Sequence, residues 1–397
     1  SITKPKIMIK YISAVLTAIL LAALIFTGAA AAEDTRTFTD DLGRTVTLPA
    51  EITKVIPSGD LAISVLISYD PKYLASCGNE LPAHADKYLP EFAALNLPKT
   101  GGLFSTTGTV NYEEVMKLAE QGANLYLDVG QARTDIGASL DAFTKTTGIP
   151  AVYISQNSLE DIPLSYQKIG KLLGEEKRGE ELSTYLQNWV STFRSGMKNV
   201  EKVSAMQINL IDGNTYYILG GISEDGSFGY QSLPISTLSN NILTAKTNKG
   251  LGDMYGMEEV MRLLSEKDPE FIFIRELNNH ANYRAFLENP VFADLSAVKN
   301  GHVYEIPSDC PELWTAMPFS GWGFCGMIWM ANILYPDTFS YSGKEKVQEF
   351  YQKMIGYTLT DDEYDKLTST ASSAKTPLPI VGILAGFAAA ALLMRRK

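Results

Sequence analysis

NYEEVMKLAEQGANLYLDV (Asn111–Val129) and GMEEVMRLLSEKDPEFIFI (Gly256–Ile274) nearly repeat each other. In each, a Glu-Glu pair opens a stretch with apolar residues at helical spacing. A polar turn follows, and then a run of apolar, strand-forming residues. The pattern predicts a short amphipathic helix leading into a buried strand, built twice. The copies lie 145 positions apart, Glu113 against Glu258.

The flanking sequence extends the alternation. RTFTDDLGRTVTLP reads as a hairpin or edge strand, and KVIPSG as a short buried strand closed by a turn. DLAISVLISY has near-helical spacing, KYLASCG is strand-like, SLDAFTKTTG is helical and IPAVYIS is a further strand. From Pro163 to about Val200, apolar residues recur at helical intervals, with Gly174 and Gly179 as mild interruptions. Alternation resumes with SAMQINLI, YYILGG, the second copy of the unit, YRAFLENPVFADL and GHVYEIP; FCGMIWMANILYP and KEKVQEFYQKMIG then read as a helix pair. Strands alternating with helices imply mostly parallel sheets covered on both faces. The expected order is an α/β lobe over 35–162, a linking helical region over 163–200, a second α/β lobe over 201–360 and a polar stalk over 361–377.

With 397 residues, 45% of them hydrophobic, the chain is long enough for two such cores. Its net charge of −11 argues against nucleic-acid binding, which needs clustered Lys and Arg. Three cysteines (Cys77, Cys310, Cys325) and three histidines, with no CxxC or HExxH, argue against a resident metal; no cofactor is implied. One disulfide with an odd thiol is compatible with the count. No GxSxG, P-loop or GxGxxG occurs, so nothing points to an enzyme.

Both ends concern the membrane. Lysines precede the apolar run YISAVLTAILLAALIFTGAAAAE, and small residues precede Glu33, as in a secretory signal peptide over 1–32; an uncleaved anchor is the other reading. Residues 378–397 give an apolar stretch and a basic stop, either a membrane helix or a processed sorting signal. Either way the body is expected outside the cell membrane, tethered to its outer face.

This order of parts resembles the substrate-binding proteins of ABC importers, in the class whose lobes are joined by one rigid helix. The resemblance covers about Phe38 to Gly356. It rests on FTDDLGRTVTLP, the two helix–strand units (the second with Asp268-Pro269), NPVFADLSAVKNGHVYEIP and WMANILYPDTF. It implies two Rossmann-like lobes and a monomeric extracytoplasmic receptor that binds a metal chelate (iron-siderophore, haem or corrinoid) between them. Its partners would be an ABC permease and its ATPase subunits. A molybdate or tungstate receptor of the same fold is the alternative, and a cell-surface adhesion protein a distant one. Glu113 and Glu258, with Glu114 and Glu259 as the other register, are the implied permease-docking acids. Glutamate is also favoured in any first helical turn, and Asn111 with Glu114 has capping-box spacing.

In open α/β sheets ligands bind beyond the carboxyl ends of the strands. Those ends supply Ser58, Gln131, Tyr216, Tyr217 and Arg275 as cleft candidates. Gly102 stands where the resembled family has a loop lining the cleft, and Gly221 either allows close backbone approach to a ligand or forms an ordinary turn. Arg275 suits an anionic group or a structural ion pair with Glu276. Trp314 and Trp322 suit stacking on a flat ligand or the core. At most one of Tyr216 and Tyr217 faces the cleft.

Overall fold

The computed structural model describes residues 34–103, 109–212, 215–218, 233–241, 253–275, 281–307, 310 and 320–372. The expected signal peptide and C-terminal anchor lie outside these residues. Helices of one turn are left unnumbered below.

The chain opens with an antiparallel hairpin, β1 (Thr35–Thr39) and β2 (Thr45–Pro49). Its turn is organised by Asp40, whose carboxylate accepts from Leu42 N and Arg44 N, both at 3.0 Å, and pairs with the Arg44 guanidinium. The same turn seals the edge of a strand far along the chain, β5 (Ala151–Ser155). Asp41 N donates to Tyr153 O, Ser155 N donates to Asp41 Oδ2, and Arg44 Nη2 donates to Ala151 O. An edge whose backbone groups are already paired does not recruit another chain.

The first sheet is parallel, in the order β3 (Lys54–Pro57), β4 (Ala123–Gly130), β5. Its strands are near-continuous apolar runs because both faces are covered. From Leu125 onward the side chains of β4 alternate: Tyr126 joins the core under α2 (Tyr112–Glu120) and α3 (Ile136–Thr147). Leu125, Leu127 and Val129 face the main core, behind α1 (Asp60–Leu66). The strand-like KYLASCG contributes only a single parallel bridge, Leu74 to Val55. A 3-10 turn over Pro71–Tyr73 before it and Gly78 (φ 60°) after it leave no room for a longer ladder.

The linking region is two helices, α4 (Asp161–Leu173) and α5 (Glu176–Met197), separated at Gly174 in the left-handed conformation (φ 73°). Twenty-two residues give α5 a length of roughly 33 Å. The helices meet at Gly170 and Gly179, where a Cβ on Gly170 would lie 2.7 Å from the Gly179 Cα. Leu182, Leu186, Val190 and Phe193 form the buried stripe of α5. Arg178 ties the helix at its start, donating to Ser68 O (3.0 Å) and Lys353 O (2.7 Å), two helix ends from opposite ends of the chain.

The second sheet runs β11 (Val303–Ile306), β10 (Phe271–Arg275), β6 (Ser204–Asp212), β7 (Thr215–Ile218), β9 (Asp253–Gly256), with β8 (Asn240–Asn241), which follows α6 (Leu233–Leu238), also on β6. β8, β6, β10 and β11 are parallel, but β6–β7 and β7–β9 are antiparallel. The mostly parallel sheets that the alternation predicts are therefore found, with one antiparallel limb, β7 and β9, added to the second. The reason is local: two residues separate β6 from β7, enough for a hairpin and far too few for a crossover. One face packs Met206, Ile208, Ile272 and Ile274 under α7 (Met257–Lys267) and α8 (Ala281–Glu288). The other sends Ala205, Phe273 and Ile306 into the main core against α9 (Gly323–Leu334), which is apolar all round and buried nearly throughout.

After α10 (Gly343–Ile355), residues Asp361–Ser372 form α11 rather than a stalk. Leu367 is buried, so this helix belongs to the packed body. Glu363 fastens it, accepting from Tyr357 Oη (2.7 Å) and Thr360 N (2.9 Å) and pairing with Lys87 (2.9 Å). Burial opposes ionisation of Glu363, but these contacts outweigh it and lower its pKa to about 2. A depressed carboxyl stabilises the fold above its unfolded value of 4.5 and loses that contribution as pH falls toward 2. Acid melts should therefore show Glu363→Gln losing less Tm than wild type between these limits; parallel curves would show that the pairing contributes nothing.

Candidate functional site

The first site is built where β3 and β4 end. The Asp128 side chain, near the end of the central strand, is 3% exposed. Ser58 follows β3 directly; its N–H continues the ladder to Leu127 O (2.9 Å), and its hydroxyl donates to Asp128 Oδ1. Beyond the turn after β4, Arg133 returns to place Nη2 2.5 Å from Asp128 Oδ2. Burial raises the Asp128 pKa, while the guanidinium and the hydroxyl pull it down. A buried acid held this way fixes the Arg133 head at the sheet end with about a third of its side chain exposed (35%). Gln131, half-buried, sits in the same turn, which Tyr153 Oη braces by donating to Gly130 O (2.6 Å).

A glycine loop is anchored beside this cluster. Thr100 N and Gly101 N both donate to Gly78 O, and Leu103 N donates to Tyr126 Oη (3.1 Å). Gly101 has φ 64°, and a Cβ there would lie 2.2 Å from Thr109 O, so only glycine fits. Gly102, the expected loop residue, is buried.

In the second sheet Arg275 ends β10, half-buried. It is opposite Asn209 in β6, and Asn209 is opposite Tyr217 in β7, so Tyr217 shares the register row of Arg275. Tyr216 falls in the next row, opposite Leu210. Trp322 is corrected: it is fully buried, edge-on to Phe350 (5.3 Å) and Tyr351 (5.2 Å), a core ring with no surface to offer a ligand. Gly221 and Trp314 lie outside the described residues. Among the described residues no group of three or more His, Cys, Asp or Glu could hold a metal ion, and the three cysteines are buried and unbridged.

The sequence reading passed over Arg133. A signal was present: an aspartate inside the apolar run ANLYLDVG needs a buried partner, and the first cation after it is Arg133.

The paired acids open α2 and α7. Asn111 Oδ1 accepts from Glu114 N (3.1 Å), the expected cap. The Glu113 side chain is 82% exposed and that of Glu114 26%, which favours Glu113 as the outward member. Glu258 and Glu259 are both exposed.

Residues 140–310 match the family model for periplasmic binding proteins. Across most of the chain the architecture superposes on an ABC transporter solute binding protein from Sulfurospirillum deleyianum, with a TM-score of 0.72 over 84% of this chain and 99% of that one at 20% identity. The fold is that of the periplasmic binding proteins. A solute binding protein from Veillonella parvula gives 0.64 over 85% and 97% at 22% identity. The molybdate binding protein MolA from Haemophilus influenzae gives 0.61 over 82% and 99% at 17%. No curated protein matches the sequence significantly. The two-unit α/β class with a helical linker, expected from the alternation, is the observed one.

Proposed function

We propose that the chain is the extracytoplasmic solute receptor of an ABC importer. It binds a metal chelate, an iron-siderophore, haem or corrinoid, between its two α/β units and delivers it to the permease through Glu113 and Glu258. The body acts as a monomer tethered to the outer face of the membrane through residues 378–397. The observation that carries this reading is the doubled helix–strand unit, one copy on each side of α5, with an arginine at or just past each strand's carboxyl end: Arg133 after β4 and Arg275 on β10. Two guanidiniums on two units suit a ligand with anionic groups on opposite sides. Tyr217, Ser58, Gln131 and the Gly101–Gly102 loop complete the binding surface.

A second reading, a molybdate or tungstate receptor, is favoured by the Arg133 cluster beside glycine-rich backbone, a combination that also suits a small oxyanion. Thermal melts of the body against ferric siderophores, haem, corrinoids, molybdate and tungstate distinguish the two. One class should stabilise strongly, since saturating ligand at about 100 times its Kd adds roughly 2.7 kcal/mol. A panel in which nothing stabilises the protein would contradict the receptor reading.

A further inference from the structure

The two acidic helices share a sequence but not a surface. Aligned at their 145-residue offset, Tyr112-Glu113-Glu114-Val115-Met116-Lys117 stands against Met257-Glu258-Glu259-Val260-Met261-Arg262. Val115 and Val260 are buried in both, so the helices sit on their sheets in the same rotation. On α2, Tyr112 and Met116 are 39% and 43% exposed, among the largest exposed apolar side chains described, and lie one turn apart beside Glu113. On α7, the counterparts Met257 and Met261 are half-buried against the second unit's own core.

The charges differ too, for a reason legible in the sequence. Arg262 has a glutamate four residues ahead and closes on both oxygens of Glu266 at 2.8 Å. The matching position ahead of Lys117 is Gln121, which offers no charge, so Lys117 turns back to Glu113 (3.1 Å) and Glu114 (3.6 Å). Among the described residues Glu258 therefore lacks the neutralising lysine that Glu113 has.

Resting on the receptor reading, we infer that the two corners dock by different physics. The α2 corner inserts Tyr112 and Met116 into an apolar recess of the permease with a cationic rim for Glu113. The α7 corner engages a more strongly basic patch through Glu258 and Glu259 with little apolar burial. Apolar contact is insensitive to salt, whereas exposed charge pairs are screened.

The test uses the full chain in membranes of its source cell, with a photo-crosslinking benzoylphenylalanine in place of Met116 or of Met261. Both positions should yield adducts with one multispanning membrane protein that co-purifies with an ATPase subunit. Raising salt to about 0.5 M should remove the adduct from position 261 and retain the one from 116. With Met261 as the crosslinking site, a further Met116→Gln change should lower the adduct about tenfold, as loss of one buried contact of that size predicts. Equal salt responses at the two positions, or an adduct from 116 at the mass of two copies of this chain, would overturn the inference while leaving docking at α7 intact. No membrane-protein adduct from either position would sink the receptor reading itself.

Discussion

Reversing both acids, Glu113→Arg with Glu258→Arg, should abolish uptake of the cargo while leaving its affinity for the isolated protein within about twofold of wild type. Each side chain stands on an exposed first turn. Neither contributes to a core, so the double variant should fold, with a Tm lowered only modestly by the lost first-turn acids and the lost Glu113–Lys117 pair. Each single reversal should lower uptake at least tenfold or so, because a carboxylate paired with a permease cation becomes a like charge against it. Uptake in whole cells, read beside ligand titration of the purified variant, checks this. A variant that loses ligand affinity places these residues in the binding surface instead, and undiminished uptake removes them from the interface.

Asp128→Ala should destabilise the first unit and loosen its candidate site together. It leaves the Arg133 guanidinium, held beside the sheet end, without its carboxylate, and empties a side-chain site that is 3% exposed. Because Arg133 is partly exposed and keeps some solvation, the loss should be about 1–3 kcal/mol rather than that of a wholly buried ion pair. The double variant Asp128→Ala/Arg133→Ala should lose less than the sum of the two single losses, since the contact the two side chains share is removed only once. Denaturant melts of the four proteins close the cycle. Additive losses would mean that the pair is not coupled, and the geometry at β4 would then not be what fixes Arg133.

The architecture was legible because burial leaves a trace in composition. β3, β4 and β5 read as apolar runs, and the valine–leucine spacing of α2 and α7 betrays one covered face each. The mixed pairing of the second sheet was harder to see, since it depends on which strands are joined by two residues rather than on any residue's chemistry. Trp322 shows the limit for side chains: a tryptophan that stacks on a ligand and one enclosed by Phe350 and Tyr351 have the same local sequence. Residues 361–372 look like a polar stalk because Tyr364 and Leu367 are too few to make a long stripe, yet a lysine 276 positions earlier secures the helix through Glu363. Arg133 was missed for a related reason: its role is set by Asp128, and a partner five residues away across a turn fits no helical or strand period.

A receptor of the kind proposed grips one ligand with both units at once. Isothermal titration of the stabilising ligand into wild type, Arg133→Ala and Arg275→Ala tests it directly. One ligand per chain is expected, with an affinity about tenfold or more weaker for either variant, as loss of a charge-assisted contact requires. Two ligands per chain, or full affinity after loss of either arginine, would contradict it.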